Sequence, residues 1–370
     1  MIDTYTIQNL AQPDLVPVLI GFRKRPSVTD KDTIIRNKGQ IKYEYTLINV
    51  IAATLPKQAI EAIKRNPNVE YVEADDLVHT TYYQNYQQIN ALQQTIPWGI
   101  DRIDAITAQS YTKGSNINVC IIDTGIDYTH PDISLNYKGG YNFVNKTNDP
   151  MDDNGHGTHV SGIVAALDNI IGVIGVAPEA NLFATKVLNA NGSGYISDVI
   201  AGIQWSVDNN MKIINMSLGS SSPNRSLKNA CDTAYNRGLL LIASAGNSGN
   251  SMGTGNNVNY PARYDSVVAV AATDINNTRA WFSSTGPAVE LSAPGVNIYS
   301  TLKGGTYGYL SGTSMAAPHV TGVAALIMSY NPITNIQTRI RMQTTATDLG
   351  SAGKDNLYGY GLVNALKALL

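Results

Sequence analysis

Apolar residues fall in short runs along this chain, and the character of those runs changes near residue 80. Leu15–Phe22 predicts a strand, Thr29–Asn37 a short polar helix, and Lys42–Ala53 one or two alternating strands. Pro56–Arg65 opens on a proline, which suits a helix start, and repeats Ile60 and Ile63 at helical spacing. Val69–Glu73 then reads as a strand. Strands and helices alternating over ~75 residues predict a small α+β sheet with helices on one face. The stretch from His79 to Gln88 is polar and without period, and reads as a linker.

Beyond it, Val119–Ile122, Leu182–Val187, Lys212–Met216 and Leu239–Ser244 read as strands. His159–Ala166, Ser197–Asn209 and Ser226–Arg237 read as helices between them. Strands apolar on both faces and joined through helices need cover on both sides. The expected class is therefore α/β, a doubly wound, mostly parallel sheet. Two units suit 370 residues, about two domains at the usual ~150 residues each.

Composition narrows the function. Apolar residues make up 43%, enough for a buried core, so a disordered chain is excluded. The 26 basic against 28 acidic residues argue against a nucleic-acid partner, which calls for a basic excess. No apolar run reaches the ~18 residues of a membrane span, and Gly238–Ala245 and Val267–Ala272 read as buried strands. Charged residues are only 15%, so the surface must be rich in Asn, Ser, Thr, Gln and Tyr, a composition that suits secretion. Met1–Tyr5 carries neither the basic nor the apolar region of a signal peptide. The expectation is a secreted protein whose leader has been removed, with an intracellular one as the alternative. Cys120 in a strand and Cys231 in a helix make neither a disulfide framework nor a zinc site, and read as buried free thiols.

In an open parallel sheet the functional crevice lies beyond the C-terminal strand ends. Asp123 ends the run Val-Cys-Ile-Ile there, where a partly desolvated carboxylate needs a partner; alone it reads as a turn residue or helix cap. His156 and His159 stand three apart where a glycine-rich loop enters a helix. His-x-x-His can chelate, but the Glu of His-Glu-x-x-His is missing. With only His79, His130 and His319 besides, a three-imidazole site is hard to assemble. Ser314 falls at a helix start, with Pro318 tolerated only in the first turn. The positive end of the helix dipole there stabilises a developing oxyanion, although an isolated serine at such a place is a cap. Asn247 follows Gly246 at a strand end, where its amide could donate to an oxyanion or merely turn the chain. Taken together, the four supply the orienter, base, oxyanion donor and nucleophile of acyl transfer.

Ile-Ile-Asp123-Thr-Gly-Ile-Asp, His156-Gly-Thr-His-Val-Ser-Gly, Ser217-Leu-Gly, Ala-Gly-Asn247 and Gly-Thr-Ser314-Met-Ala-Ala-Pro resemble the signature segments of the subtilisin-like serine proteases. The order Asp, His, Ser is the family's own, and the roles are borrowed from it. The match runs from about Pro97 to the end and includes Tyr358-Gly-Tyr-Gly-Leu-Val-Asn. Residues 15–80 resemble the family's inhibitory propeptide. The resemblance implies a serine endopeptidase made as a self-cleaving, self-inhibited precursor. Its parts are a propeptide at 1–81, a linker and processing region at 82–96, and a catalytic domain at 97–370. Ser314 is the expected nucleophile and His156 the base. Asp123 holds the imidazole, and the Asn247 amide with the Ser314 N–H forms the oxyanion hole.

Further expectations carry over. A peptide substrate adds as a strand between Ser217-Leu218-Gly219 and Gly192-Ser193-Gly194. Asn259 stands where the family usually has glycine, at the floor of the primary specificity pocket. Self-cleavage is expected at Thr81–Tyr82. A structural calcium is expected on the carbonyls of Leu167, Ile171 and Val173 with the side chains of Asn169, Asp132 and Gln94, since hard oxygen ligands in this number suit calcium. The partners are protein or peptide substrates and the chain's own propeptide, with no nucleic acid or membrane, and the expected state is a monomer. The alternatives are a catalytically silent member acting as a binding protein, and a metalloprotease.

Overall fold

The computed structural model describes residues 14–89 and 93–370, with residues 84–89 by their backbone, and the chain divides into two units between Asp76 and Leu77. The first contains β1 (Leu15–Phe22), α1 (Val28–Arg36), β2 (Gln40–Glu44), β3 (Val50–Pro56), α2 (Ile60–Lys64) and β4 (Val69–Ala74). Its strands pair antiparallel in the order β2-β3-β1-β4. Side chains alternate along a strand, so Val18, Ile20 and Phe22 share a face with Ile51, Ala53 and Leu55. Ile34 of α1 and Ile63 of α2 close over that face. Ser27 starts α1 with a capping box to Asp30, which satisfies two backbone donors reciprocally.

The second unit runs through β5 (Leu77–Thr80), β6 (Tyr83–Ile89), α3 (Trp98–Arg102), α4 (Ala105–Ala108), β7 (Asn118–Asp123), β8 (Tyr137–Asn142), α5 (His156–Ala165) and β9 (Asn181–Lys186). It continues with β10 (Ser193–Tyr195), α6 (Ile196–Asp208), β11 (Ile213–Met216), β12 (Leu218–Gly219), α7 (Arg225–Asn236), β13 (Leu240–Ser244) and β14 (Val267–Thr273). β15 (Val289–Pro294), β16 (Ile298–Leu302), β17 (Thr306–Ser311), α8 (Thr313–Tyr330), α9 (Asn335–Thr345) and α10 (Ala365–Leu369) complete it. Seven strands form one parallel sheet in the order β15-β14-β13-β11-β7-β9-β8. Every residue of β11, β13 and β14 is buried, which requires helices on both faces. α5 and α8 pack together on the sheet as one pair, α6 and α7 as another. The fold is the doubly wound α/β class expected.

Cys120 and Cys231 are buried free thiols, and burial pushes the Cys120 thiol up to about 11, leaving it inert. Among the described residues no helix is long and apolar enough to cross a membrane.

The stretch from His79 to Gln88 is not a structureless linker. β5 pairs between β10 and β12, and β6 adds to β17 as the third strand of a β16-β17-β6 sheet. A strand that docks on edges formed by other segments draws on backbone hydrogen bonds, which polar residues make as well as apolar ones. Hydrophobic period therefore gave no sign of it. Residues 1–13 of the expected propeptide and 90–92 of the expected processing region lie outside the described residues.

Candidate active site

The open end of the parallel sheet gathers the four residues singled out for acyl transfer. Asp123 is the last residue of β7, and His156 is the first of α5. His156 Nδ1 lies 2.7 Å from Asp123 Oδ1, both side chains fully buried. The same Asp123 oxygen accepts the Thr124 N–H at 2.7 Å. A Cβ on Gly157 would stand 2.1 Å from the Gly125 carbonyl oxygen, so glycine is what lets α5 start close against the strand end.

Asp152, which the sequence reading passed over, fixes that start. Its Oδ1 accepts from Thr124 Oγ1 and from the N–H groups of Asn154 and Gly155 at 2.8–2.9 Å. Its Oδ2 accepts from the Thr158 N–H at 2.9 Å and from Thr158 Oγ1 at 2.6 Å. The visible signal was an Asp four residues ahead of the histidine in a loop of Asp, Asn and Gly. Lys186 was also missed: fully buried at the end of β9, it donates to the Thr124 and Leu188 carbonyls at 2.7 and 2.9 Å and to Asp153 at 2.6 Å.

Ser314 is the second residue of α8, but Pro318 lies well beyond the first turn. Proline has no N–H to give the carbonyl four residues back. That carbonyl belongs to Ser314, and the Ser217 hydroxyl donates to it at 2.9 Å. The proline so far inside the helix is tolerated because a tertiary hydrogen bond replaces the lost one. Asn247 is held from behind: its Oδ1 accepts from Thr313 N and Oγ1 at 3.0 and 2.9 Å. This turns the amide nitrogen towards the crevice.

The chain's own residues fill that crevice. Leu77–Thr80 lies antiparallel between β10 and β12, His79 opposite Ser193, Val78 opposite Gly194, and Thr80 opposite Leu218. The Thr80 N–H also reaches the Gly192 carbonyl at 3.0 Å. Thr81 follows at the nucleophile, where its carbonyl accepts the Ser314 N–H at 3.3 Å. A Cβ at Gly312 would meet the Thr81 carbonyl oxygen at 2.4 Å and Asn247 Nδ2 at 3.2 Å, so the two flank a space that only glycine leaves open. Ser314 Oγ donates to the Ser217 carbonyl at 3.0 Å and pairs with Thr81 Oγ1 at 2.7 Å and the Thr81 N–H at 3.2 Å. His156 Nε2 is buried without a hydrogen-bond partner. The serine and histidine are thus not bonded to each other while Thr81 holds the hydroxyl. The Tyr82 ring lies 4.7 Å from the His156 ring.

Thr81 Oγ1 also meets Ser244 Oγ at 2.8 Å. Asn259 closes the pocket beyond: a Cβ on Gly219 would stand 2.9 Å from Asn259 Cβ, and one on Gly246 2.7 Å from its Cγ. Thr81, Gly219, Asn247 and Asn259 line one cavity of about 400 Å³.

The second histidine of the pair does different work. His159 Nε2 donates to the Ile298 and Gly308 carbonyls at 3.0 and 3.2 Å. Burial, with the His156 charge adding to it, pushes its pKa down to about 3, so it stays neutral and structural. His156 and His159 share no partner, and among the described residues no group of three or more His, Cys, Asp and Glu is placed to hold a metal.

The calcium expectation rests on a different donor set. Asp132 is fully buried, and its oxygens accept from Asn169 Nδ2 at 2.7 Å and the Val173 N–H at 2.9 Å. Among the described residues no salt bridge reaches it. Burial raises its carboxyl above the ordinary range despite those bonds. Gln94 Nε2 donates to the Leu167 carbonyl at 2.9 Å, and the Ile171 N–H to Asn169 Oδ1 at 2.8 Å, so all six expected residues lie in one bonded cluster. A buried, unneutralised carboxylate among carbonyl and amide oxygens fits a hard cation.

Comparison with known proteins agrees with this geometry. The model of the subtilase family matches residues 114–361, and that of peptidase inhibitor I9 matches residues 21–81. The chain is 46% identical to subtilisin E of Bacillus subtilis (strain 168) over 358 residues, covering 95% of this chain and 89% of the relative. It is 48% identical to a thermostable alkaline protease of Halalkalibacterium halodurans over 330 residues, 88% and 84% of the two chains. An alkaline protease of Shouchella clausii is 42% identical over 375 residues, 97% and 93%. The chain belongs to the subtilase family of serine endopeptidases and carries a peptidase inhibitor I9 domain ahead of its catalytic one.

Proposed function

We propose that this chain is the uncut precursor of an endopeptidase that first cleaves itself between Thr81 and Tyr82. Ser314 Oγ attacks the Thr81 carbonyl carbon and passes its proton to His156 Nε2, whose partner position is open. Asp123 keeps the imidazole in the tautomer with a proton on Nδ1 and stabilises the imidazolium. The Ser314 N–H and the Asn247 amide take up the oxyanion. His156 then protonates the Tyr82 nitrogen, the Thr81–Tyr82 bond breaks, and water releases Thr81 from the acyl-enzyme. The observation that carries this reading is the Thr81 carbonyl on the Ser314 N–H, at the end of a strand zipped between β10 and β12. Until Leu77–Thr81 leaves, it denies other peptides the same groove, which makes the propeptide an intramolecular inhibitor.

Asn259 adds a preference for small or medium residues before the scissile bond, of which Thr81 is the first instance. Calcium is the structural ion: Asp132, Asn169, Gln94 and the carbonyls of Leu167, Ile171 and Val173 would hold it, and it would neutralise the buried Asp132 carboxylate. All four catalytic groups come from one chain, which supports a monomer. The low content of charged residues, 15%, supports the secreted form, with an intracellular one as the alternative.

Mass spectrometry of purified protein, before and after incubation with calcium and beside Ser314→Ala, tests the reading. The parent should split after Thr81 into two associated pieces while Ser314→Ala stays whole. Equal splitting of both chains refutes self-processing. Labelling by a serine-directed fluorophosphonate, lost in Ser314→Ala, separates the protease from a silent binding protein.

A further inference from the structure

Within the first unit, the loop from β1 to α1 and the loop from α2 to β4 wall a cavity of about 870 Å³. Four basic residues line it: Arg23, Lys24 and Arg25 from the first loop, and Arg65 at the end of α2. Arg23-Lys24-Arg25 is the only run of three like charges in a chain with just 15% charged residues. Residues 14–76 carry 10 basic and 9 acidic side chains, so the excess is local to this cavity. The two loops are fixed to each other. The Arg23 N–H donates to the Asn68 carbonyl at 2.8 Å, and the Lys24 N–H to Asn68 Oδ1 at 3.1 Å. Lys31 and Lys64 of the same unit pair with Glu44 and Glu61 at 3.0 and 2.8 Å. Among the described residues the four cavity side chains have no such partner. Asp30 is the one carboxylate in the wall, and it is already taken. Its Oδ1 accepts from Asn66 at 2.7 Å, and its Oδ2 from the Ser27 N–H, the Ser27 hydroxyl and Asn68 at 2.7–2.9 Å. Ser27 and Thr29 stand in the same wall, so the positive end of the α1 dipole adds to the field. Like charges gathered without a counter-charge repel one another and favour an incoming anion.

We propose that this cavity is a binding site for an oligophosphate, an anion of two or more linked phosphoryl groups. Guanidinium forks match phosphate oxygens in pairs, and the Lys24 ammonium adds a point charge. A cavity of this size with cations on two separate loops suits several phosphoryl groups better than a single ion. The bound anion ties the loop before α1 to the end of α2, and so stabilises the folded first unit by mass action. The site lies wholly within residues 23–68 and does not depend on where the chain is cut.

The test uses the full chain with Ser314→Ala, so that proteolysis is silent, in calcium-free buffer where the probe cannot be taken up by that ion. Equilibrium dialysis against labelled tripolyphosphate should show one saturable site, with orthophosphate a far weaker competitor. Hydrogen exchange in residues 23–30 and 62–68 should slow with tripolyphosphate, and not with sodium chloride at equal ionic strength. Arg25→Gln with Arg65→Gln should weaken binding by ~10–100-fold, the loss expected for charge-assisted hydrogen bonds. Arg36→Gln with Lys38→Gln removes the same charge away from the cavity and should leave binding unchanged. Arg25→Lys with Arg65→Lys keeps the charge without the fork and should bind with intermediate affinity; this pair carries the test if the Gln pair fails to fold. Absence of a saturable site overturns the proposal. So does equal weakening by the two Gln pairs, or protection by sodium chloride alone, since either would mean general attraction to a basic surface.

Discussion

Asp152 touches no substrate, yet five donors converge on its carboxylate, and four of them are buried, among them the N–H groups of Gly155 and Thr158, which unlike the Thr124 and Thr158 hydroxyls cannot rotate to another acceptor. Asp152→Ala strips those two N–H groups of their acceptor. An unsatisfied buried donor costs about 1–3 kcal/mol, so the pair should lower stability by about 2–4 kcal/mol once water relieves part of the loss. The same change frees the loop that delivers His156 to Asp123. A shift of about 1 Å in a catalytic group costs ~100-fold in turnover, so kcat should fall by ~10–100-fold with KM little changed. Denaturant unfolding of Asp152→Ala in the Ser314→Ala background, where self-digestion is silent, measures the first quantity. Peptide hydrolysis by the active variant measures the second. Stability within 0.5 kcal/mol of the parent together with an unchanged kcat would refute the assignment of Asp152 as the anchor of α5.

Asn259→Gly opens the floor of the pocket between Gly219 and Gly246, and should raise kcat/KM for Phe and Tyr ahead of the scissile bond relative to Thr; an unchanged profile across those peptides removes Asn259 as the cause. Asn247→Ala should lower turnover by the ~10²–10³ known for this family's own oxyanion donor, with little change in KM. Chelation should lower the melting temperature of the Ser314→Ala chain, and Asp132→Asn should abolish most of that dependence; a chelator shift of equal size in both places calcium elsewhere. Burial raises the Asp30 carboxyl, but hydrogen bonds from Ser27, Asn66 and Asn68 outweigh it and hold it at about 2. A carboxyl depressed on folding contributes stability above its unfolded value near 3.8 and loses it as pH falls through 2. After discounting for solvent screening this is about 1–2 kcal/mol. Asp30→Asn should therefore speed hydrogen exchange in residues 28–36 at pH 7 and make little difference near pH 2.

The elements legible in the sequence are those that bury their own side chains. β1, β13 and β14 stood out as apolar runs, and α7 as a helical repeat, because core strands and amphipathic helices write their burial into residue type. β5 and β6 were illegible for the opposite reason. They contribute backbone to edges made elsewhere, and His79, Thr80 and Thr81 are as able to do that as any apolar residue. Pro318 misled in a related way. The rule that keeps proline in the first turn counts hydrogen bonds within the helix, and the bond that compensates here reaches the Ser314 carbonyl from Ser217, 97 residues before Ser314.

The candidate site divides along the same line. Asp123, His156, Asn247 and Ser314 sit in motifs whose glycines mark close approaches, so residue type and spacing exposed them. Asp152 and Lys186 act by where their hydrogen bonds end. Nothing in Met-Asp-Asp-Asn-Gly-His distinguishes the Asp that gathers Thr124, Gly155 and Thr158 from its exposed neighbour Asp153, which pairs with the buried Lys186 amine. Only the fold separates the two, because it brings the ends of β7 and β9 beside one loop. A residue's own chemistry can announce a nucleophile or a base. The groups that hold them in place are announced by their neighbours, and those neighbours are distant in sequence.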